Sequence, residues 1–432
     1  MAKTKYNTEK RNTLSYHDRV ERIFKRFENI VKRPLRFTTK RSFEAIVFLI
    51  LFFAFFGLLA YQMSLPKMLN TFMDTAYKLL METVFYLMAI CVLMGAIGRL
   101  LVEFGVVRLL ENILRPLMKP LYNLPGVAAL GAVMTFLSDN PAIISLAKDK
   151  NFSRYFKKYQ LVSLTNFGTA FGMGLVVVAF MTGKGFGMGA LIGVVGAIIG
   201  SIVSTRLMQR FTLKSYPELD APVDEGTEGD EQQITYKSEG GVFQRFLNSL
   251  LDGGKDGVGI GLAIIPGVLC ISTLVMMLTF GPKGEDGSYL GVAFEGYPLI
   301  VNIANLKPVS MVFKWLFGFE NGALISFPIT ALGAVGAALG LVPTFAETGV
   351  LPPVTDGAFS DAGIIANNAI AVFTAMGMCW SGYLSTHTAM LDSLGYRKLI
   401  GKAIGAHTIG GLIAGISAHW LFVLIVFLKG LF

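Results

Sequence analysis

The sequence predicts an all-α, polytopic helical membrane protein, and three observations predict it. Of 432 residues, 53% are hydrophobic and only 16% are charged, against about 25% charged in soluble domains. Mean hydropathy is +0.57. The apolar residues also fall in long continuous runs, with none of the alternating strands of about ten residues that mark a barrel. Helices are then the structures that satisfy their own backbone in lipid. This pattern excludes a soluble enzyme, a disordered chain and a secreted disulfide scaffold.

The net charge of +9 is local. Residues 1–43 hold 13 Lys/Arg and 4 Asp/Glu, and the remaining residues are balanced. A basic flank anchors topology by the positive-inside rule and can meet anionic lipid heads; it is not a nucleic-acid surface. The basic region and the long apolar Ala45–Tyr61 after it do not fit a cleavable signal peptide. Cys91, Cys270 and Cys379 lie in separate apolar segments, with no spacing for zinc or a disulfide.

Four regions follow from composition: a basic cytoplasmic tail (1–43), a first membrane half (44–208), an acidic cytoplasmic linker with an amphipathic helix (209–255), and a second membrane half (256–432). In the tail, Val20–Val31 has near-helical apolar spacing. Ala45–Met63 is the clearest span. Leu69–Leu80 is amphipathic and leads into a span over Glu82–Val102. Gly105–Leu121 carries three basic residues, one acid and two prolines, and suits an interface. Asn123–Ala147 is apolar at both ends with Ser138-Asp139-Asn140-Pro141 between. An Asp and a helix-breaking Pro in mid-run predict two short helices joined at a tip. Basic residues on both flanks (Arg108, Arg115 and Lys119 before; Lys148 to Lys158 after) predict that the chain enters and returns.

Gln160–Thr182 and Gly185–Ser204 read as spans, the second with a packing stripe at Gly189, Gly193, Gly196 and Gly200. Ser215–Gln233 has seven acids and no Lys/Arg, a solvated linker. Val242–Leu251 is a short amphipathic helix. Spans follow near Val258–Phe280, Tyr297–Phe317 and Ala323–Pro343, then the polar-studded Ile364–Leu391 and a last span, Lys402–Phe427. Loops 281–296 and 344–362 are acidic or nearly free of Lys/Arg, which suits the outside.

A shift of 243 positions aligns 138–172 with 381–415. It matches Ser138 with Ser381, Asp149 with Asp392, Arg154 with Arg397, Thr165 with Thr408, Gly168 with Gly411, and Gly172 with Gly415. The order of parts also agrees: a broken apolar segment, a charged connector, a Gly-rich span. Interrupted segments at matching places in two halves point to a transporter's binding site, and an inverted repeat is expected.

Gly95–Leu130 (GAIGRLLVEFGVVRLLENILRPLMKPLYNLPGVAAL) resembles the nucleoside-recognition, or Gate, domain of bacterial membrane proteins. The marks are a span, an interfacial helix ending in LRPL, and LPG entering an apolar hairpin. The family extends to concentrative nucleoside transporters, ferrous-iron transporter gate regions and spore maturation membrane proteins, and the layout is most similar to YjiH-type proteins. The resemblance implies two Gate-like halves with re-entrant or broken helices, in the bacterial cytoplasmic (inner) membrane, with the N-terminus cytoplasmic.

Enzyme signatures such as HExxH, GxSxG and a P-loop are absent from the sequence, so no catalytic residue, metal ligand or cofactor is assigned. Asp139 is the most informative side chain, because a carboxylate at membrane depth is costly unless paired or hydrated. It reads either as a site for substrate or coupling cation or as a cap of the following half-helix. Ser138, Asn140, Thr165, Asn166, Ser381 and Thr386 join it as substrate-binding candidates. His387 and His407 suit proton coupling or simple packing; Asn302, Asn305, Asn367 and Asn368 suit binding or interhelical hydrogen bonds. The expected function is transport of a small polar or amphiphilic solute between two polar-tipped hairpins, coupled to Na+ or H+. A lipid or lipid-linked translocase, a membrane scaffold and an intramembrane enzyme are the alternatives. Membrane lipid and a small-molecule solute are the implied partners, with homo-oligomerisation open and no nucleic acid.

Overall fold

The structure, a computed structural model, describes residues 40–224, 240–354 and 357–430. The expected helix at Val20–Val31 and most of the acidic linker lie outside the described residues. The chain divides into two units, Met1–Tyr61 and Gln62–Phe432. The described part of the first unit is a single helix, α1 (Lys40–Met63), whose last residues enter the second unit. Its 24 residues span about 36 Å at 1.5 Å per residue, enough to cross a bilayer. Among the described residues, seven helices are long and apolar enough to cross a membrane, and the protein is a multi-pass helical membrane protein.

The second unit opens with α2 (Leu65–Glu103). The sequence suggests an amphipathic helix followed by a separate span, yet the helix is unbroken. A π turn at Leu79–Val84 absorbs the change of register instead of ending it. Helix α3 (Val106–Leu117) follows at a left-handed Gly105, with its apolar residues on one side. Next come α4 (Ala128–Leu137) and α5 (Pro141–Lys148), the expected hairpin, broken at Ser138–Asn140 and restarted by Pro141 at a first helical position, where its missing N–H costs nothing. Gln160–Thr182 is not one straight span. It is α6 (Lys158–Thr169) and α7 (Gly174–Gly183), interrupted at 170–173 with Met173 left-handed at φ 54°. Helix α8 (Gly187–Ser215) then runs past the boundary expected at 208.

The second half starts with α9 (Val242–Thr279), continuous where a short helix and a separate span are expected, again through a π turn, at Gly267–Ser272. Tyr297–Phe317 contains no helix long enough to cross a membrane alone. It forms the short α10 (Leu299–Ala304) and α11 (Lys307–Phe317), with Pro308 in the first turn of the latter. Ala323–Pro343 likewise contains no helix of spanning length. It folds as a second hairpin: α12 (Ser326–Gly333), a break at Ala334, α13 (Val335–Leu339) and α14 (Leu341–Glu347). Ile364–Leu391 is a crossing, broken helix, α15 (Asp361–Cys379) and α16 (Tyr383–Ser393), and α17 (Ile400–Lys429) closes the chain.

These elements correct the register of the repeat. The hairpin α4–α5 corresponds to α12–α14, the broken helix α6–α7 to α15–α16, and α8 to α17. The 243-residue shift instead laid the first hairpin on a broken helix. The orientation is inverted. Glycines of α8 pack on α17 in antiparallel order, Gly196 against Ala414 and Ala418, Gly200 against Gly410 and Ala414. The Lys402 ammonium donates to Ser215 Oγ at their shared end, and Lys157 pairs with Asp220 at 2.9 Å nearby. Arg397, Lys398 and Lys402 therefore share one basic end with Lys148–Lys158 and Arg206–Lys214, so the inverted repeat and the basic residues agree. Helices α2 and α9 also pack antiparallel, Gly95 on Gly253 and Cys91 on Gly257. The broken helices α6–α7 and α15–α16 are almost wholly surrounded by protein.

Candidate functional site

Both hairpins and both broken helices converge on one cavity of about 470 Å³. The first hairpin brings Asp139 and Asn140, the second Gly333 to Gly336. The break of α6–α7 brings Met173, and that of α15–α16 brings Ser381 and Gly382, with Ser385 and Thr386 one turn on. Apolar residues of α9, among them Ile260, Ile264 and Ile271, close the remaining wall.

Each break frees backbone groups that must find partners. Asn140 meets one of these needs: its Nδ2 donates to the Ser381 carbonyl at 2.5 Å, tying the first hairpin tip to the second broken helix. The tip is seated on Gly172, where a Cβ would fall 2.3 Å from Asn140 Oδ1. Gly382, left-handed at φ 59°, turns the chain into α16. Ser138 Oγ donates to the Met134 carbonyl at 2.6 Å, so it ends α4 and is not a cavity wall. Asp139 is the single ionisable side chain among the lining residues, and its Oδ1 is buried without a hydrogen-bond partner.

Behind this wall lies a buried polar cluster. His407 Nε2 is in hydrogen-bond contact with the Cys379 carbonyl. A carbonyl only accepts, so that nitrogen carries the proton. His407 Nδ1 then accepts from Ser204 Oγ at 3.0 Å, and Ser204 accepts from Asn166 Nδ2 at 3.0 Å. Asn166 also donates to the Ala403 carbonyl at 2.9 Å. His387 Nδ1 meets Thr165 Oγ1 at 2.9 Å, and the two imidazoles stand edge to face with centroids 4.7 Å apart. Tyr383 stacks on His407 at 5.4 Å. Thr165, Asn166, His387 and His407 thus sit together but brace the break of α15–α16 from behind.

The other candidates lie elsewhere. Asn367 accepts from Gly189 N–H and donates to the Gly363 carbonyl, both at 3.0 Å, joining α15 to α8. Asn368 donates to the Phe317 carbonyl at 3.0 Å and contacts His419 at 2.8 Å. Asn302 and Asn305 are exposed on and after α10, away from the cavity. The sequence reading missed Ser204, the Cys379 carbonyl and the second hairpin tip. Ser204 had a signal, since it continues the Gly196–Gly200 spacing on the packed face of α8. Among the described residues no group of His, Cys, Asp and Glu is placed to hold a metal ion.

No protein-family model matches the chain. It is 29% identical over 154 residues to an uncharacterised protein of Alkalihalophilus pseudofirmus, a match spanning 35% of this chain and 31% of that relative. Among solved structures, it is similar to CNTnw, a concentrative nucleoside transporter, in an inward-facing substrate-bound state, with 13% identity and a TM-score of 0.47 over 78% of this chain and 74% of that one. It is also similar to a doubly substituted CNTnw in an outward-facing state, with 14% identity and a TM-score of 0.48 over 89% and 86% of the two chains.

Proposed function

We propose that the chain transports a small polar solute across the membrane and that the cavity between the hairpin tips is its site. One observation carries the reading: two hairpin tips and two helix breaks, from halves of opposite orientation, converge on a single space. Broken helices are tolerated at membrane depth where they line a cavity, and transporters place binding sites there. A volume of about 470 Å³ suits a small metabolite, since such sites run from about 300 to 1,000 Å³. Asn140, Ser381, Ser385 and Thr386 supply hydrogen-bonding groups, and Asp139 supplies an uncompensated carboxylate. The matching solute carries an ammonium group or travels with a coupling cation, Na+ or H+, that neutralises the carboxylate. His387 and His407 keep the α15–α16 break in shape.

Flux into proteoliposomes tests this against a panel of labelled amines, nucleosides and carboxylates, with a sodium or a pH gradient imposed separately. A charged hydrogen bond is worth about 1.5–3 kcal/mol. Asp139→Asn should therefore lower flux of the transported solute about tenfold or more, with membrane insertion and thermal unfolding little changed. Wild-type flux in the variant would make Asp139 a helix cap. Binding without flux for every solute would favour a scaffold.

A further inference from the structure

A second pocket, of about 490 Å³, lies between α3, the hairpin limb α4, the α6–α7 break and α8. It shares no residue with the central cavity. Its lining is apolar throughout save Tyr122, whose hydroxyl is engaged by Ser201 Oγ at 2.7 Å. Such a space offers a polar solute no partner and suits hydrocarbon. It is a slot open along one side: Ile113 and Ile198 both line it, yet they are 59% and 36% exposed.

The slot has a direction. Its shallow rim is α3, where Leu110, Ile113, Leu114 and Leu117 form one helical stripe. The turn after α3 is held by Arg206, whose guanidinium donates to the Pro120 and Leu121 carbonyls at 2.7 and 2.9 Å. From Arg206, α8 carries the wall away from the basic end through Ile198 to Val194. That stretch is about 18 Å at 1.5 Å per residue, close to one leaflet of a hydrocarbon core about 30 Å thick. Helix α4 descends the same way and ends in Phe136 and Leu137, beside the Ser138–Asn140 tip. The slot therefore begins at the basic end and deepens toward the bilayer core.

The rim carries an excess of positive charge. Arg108 and Arg115 on α3, and Lys119 in the turn after it, lie on the side opposite the apolar stripe. Arg115 pairs with the buried Glu111 at 3.3 Å, and Glu103 at the end of α2 is met by Arg245 at 3.7 Å. Arg108 and Lys119 have no acid partner among the described residues, and the carbonyls that hold Arg206 leave its charge uncancelled.

We propose that this slot holds one acyl chain of an anionic phospholipid whose head lies among Arg108, Lys119 and Arg206. The chain follows the apolar wall down to Phe136 and Leu137, and the head stays at the basic rim, so the lipid keeps the direction of its own leaflet. Anionic heads are drawn to basic groups at the membrane surface, whereas a phosphatidylcholine head offsets its phosphate with its own ammonium. The proposal is independent of the transport reading.

A reporter in the slot of the full-length protein, Ile198→Trp, tests it in phosphatidylcholine vesicles with lipids brominated on the acyl chain, which quench tryptophan on contact. The signal is the difference from the unsubstituted chain in the same lipids. At equal mole fraction, brominated phosphatidylglycerol should quench the reporter several times more than brominated phosphatidylcholine. Adding Arg108→Gln and Lys119→Gln should remove that preference and leave quenching by phosphatidylcholine unchanged. The same selectivity is read without the reporter: phosphatidylglycerol added in detergent should raise the unfolding temperature more than phosphatidylcholine does, and the Arg108→Gln, Lys119→Gln variant should lose the difference. Equal quenching by both lipids means ordinary annular contact and overturns the proposal, as does a preference that survives the double variant. Quenching by neither lipid also overturns it, and a larger particle in sedimentation would then identify a second copy of the chain as the occupant.

Discussion

A single side chain, Asn140, ties a hairpin tip to a broken helix on the other half of the repeat through the Ser381 carbonyl. Removing it leaves a buried carbonyl unpaired, a loss of about 1–3 kcal/mol. Asn140→Ala should accordingly lower the thermal unfolding temperature in detergent, and Asn140→Asp should not restore it, since a carboxylate cannot donate to a carbonyl. An unfolding temperature unchanged in Asn140→Ala would remove Asn140 from this role. At this scale the sequence was informative about residue type and silent about direction. Asp139, Asn140, Ser381 and Thr386 are polar residues in apolar runs, and they do face one cavity. His387, His407, Thr165 and Asn166 look the same in the sequence yet turn to the opposite side of their helices. Only the pairing of α6, α8, α16 and α17 decides that, and it arises from contacts between residues some 200 positions apart.

Among the elements, the first hairpin was legible because its tip carries Ser-Asp-Asn-Pro. The second was hidden because its tip, Gly333-Ala334-Val335, is small and apolar, so α12–α14 read as one more span. The two π turns were also invisible, since an extra residue in a helical turn leaves no compositional mark. The loop between α9 and α10 is set by Glu295, which is fully buried. Its carboxylate accepts from the amides of Lys283, Leu290, Gly291 and Val292 at 2.7–3.2 Å. Burial pushes this carboxyl up, but the amide donors outweigh it and hold its pKa below the usual carboxylate range. A carboxyl depressed in the folded state stabilises fully above its unfolded value, and the gain is lost as pH falls through the folded one. Hydrogen exchange at Leu290–Val292, corrected for intrinsic rates, should be slow at neutral pH and rise in acid, below the normal glutamate range. Glu295→Gln should show the fast rate at neutral pH; protection that stays constant down to acid pH would contradict the assignment.

For the whole molecule, the fold class was readable from composition, but the sidedness of the second half was not. The 243-residue shift laid the first hairpin on a broken helix, whereas the course of α15–α16 brings Arg397, Lys398 and Lys402 to the basic end together with an inverted repeat. The basic end collects Lys148 to Lys158, the end of α8 and the start of α17, and the positive-inside rule predicts a cytoplasmic position for it. Cysteines introduced at Lys214 and Lys398 should both react with a membrane-impermeant maleimide only from the cytoplasmic side, whereas one at Glu347 should react from the other. Labelling of Lys214 and Lys398 from opposite sides would refute the arrangement.

The two hairpins are related by backbone order but not by chemistry: one tip presents a carboxylate, the other only small apolar residues. A pair of equal tips would make the two faces of the machine interchangeable, with no preferred resting state. Here the carboxylate breaks that degeneracy. Wetting the Asp139 tip gains hydration of a charge, whereas wetting the Gly333–Gly336 tip gains only hydration of peptide groups. Under the proposed transport function, the empty protein would therefore favour the state that wets the Asp139 tip, and a cation bound at Asp139 would bring the two states closer to balance.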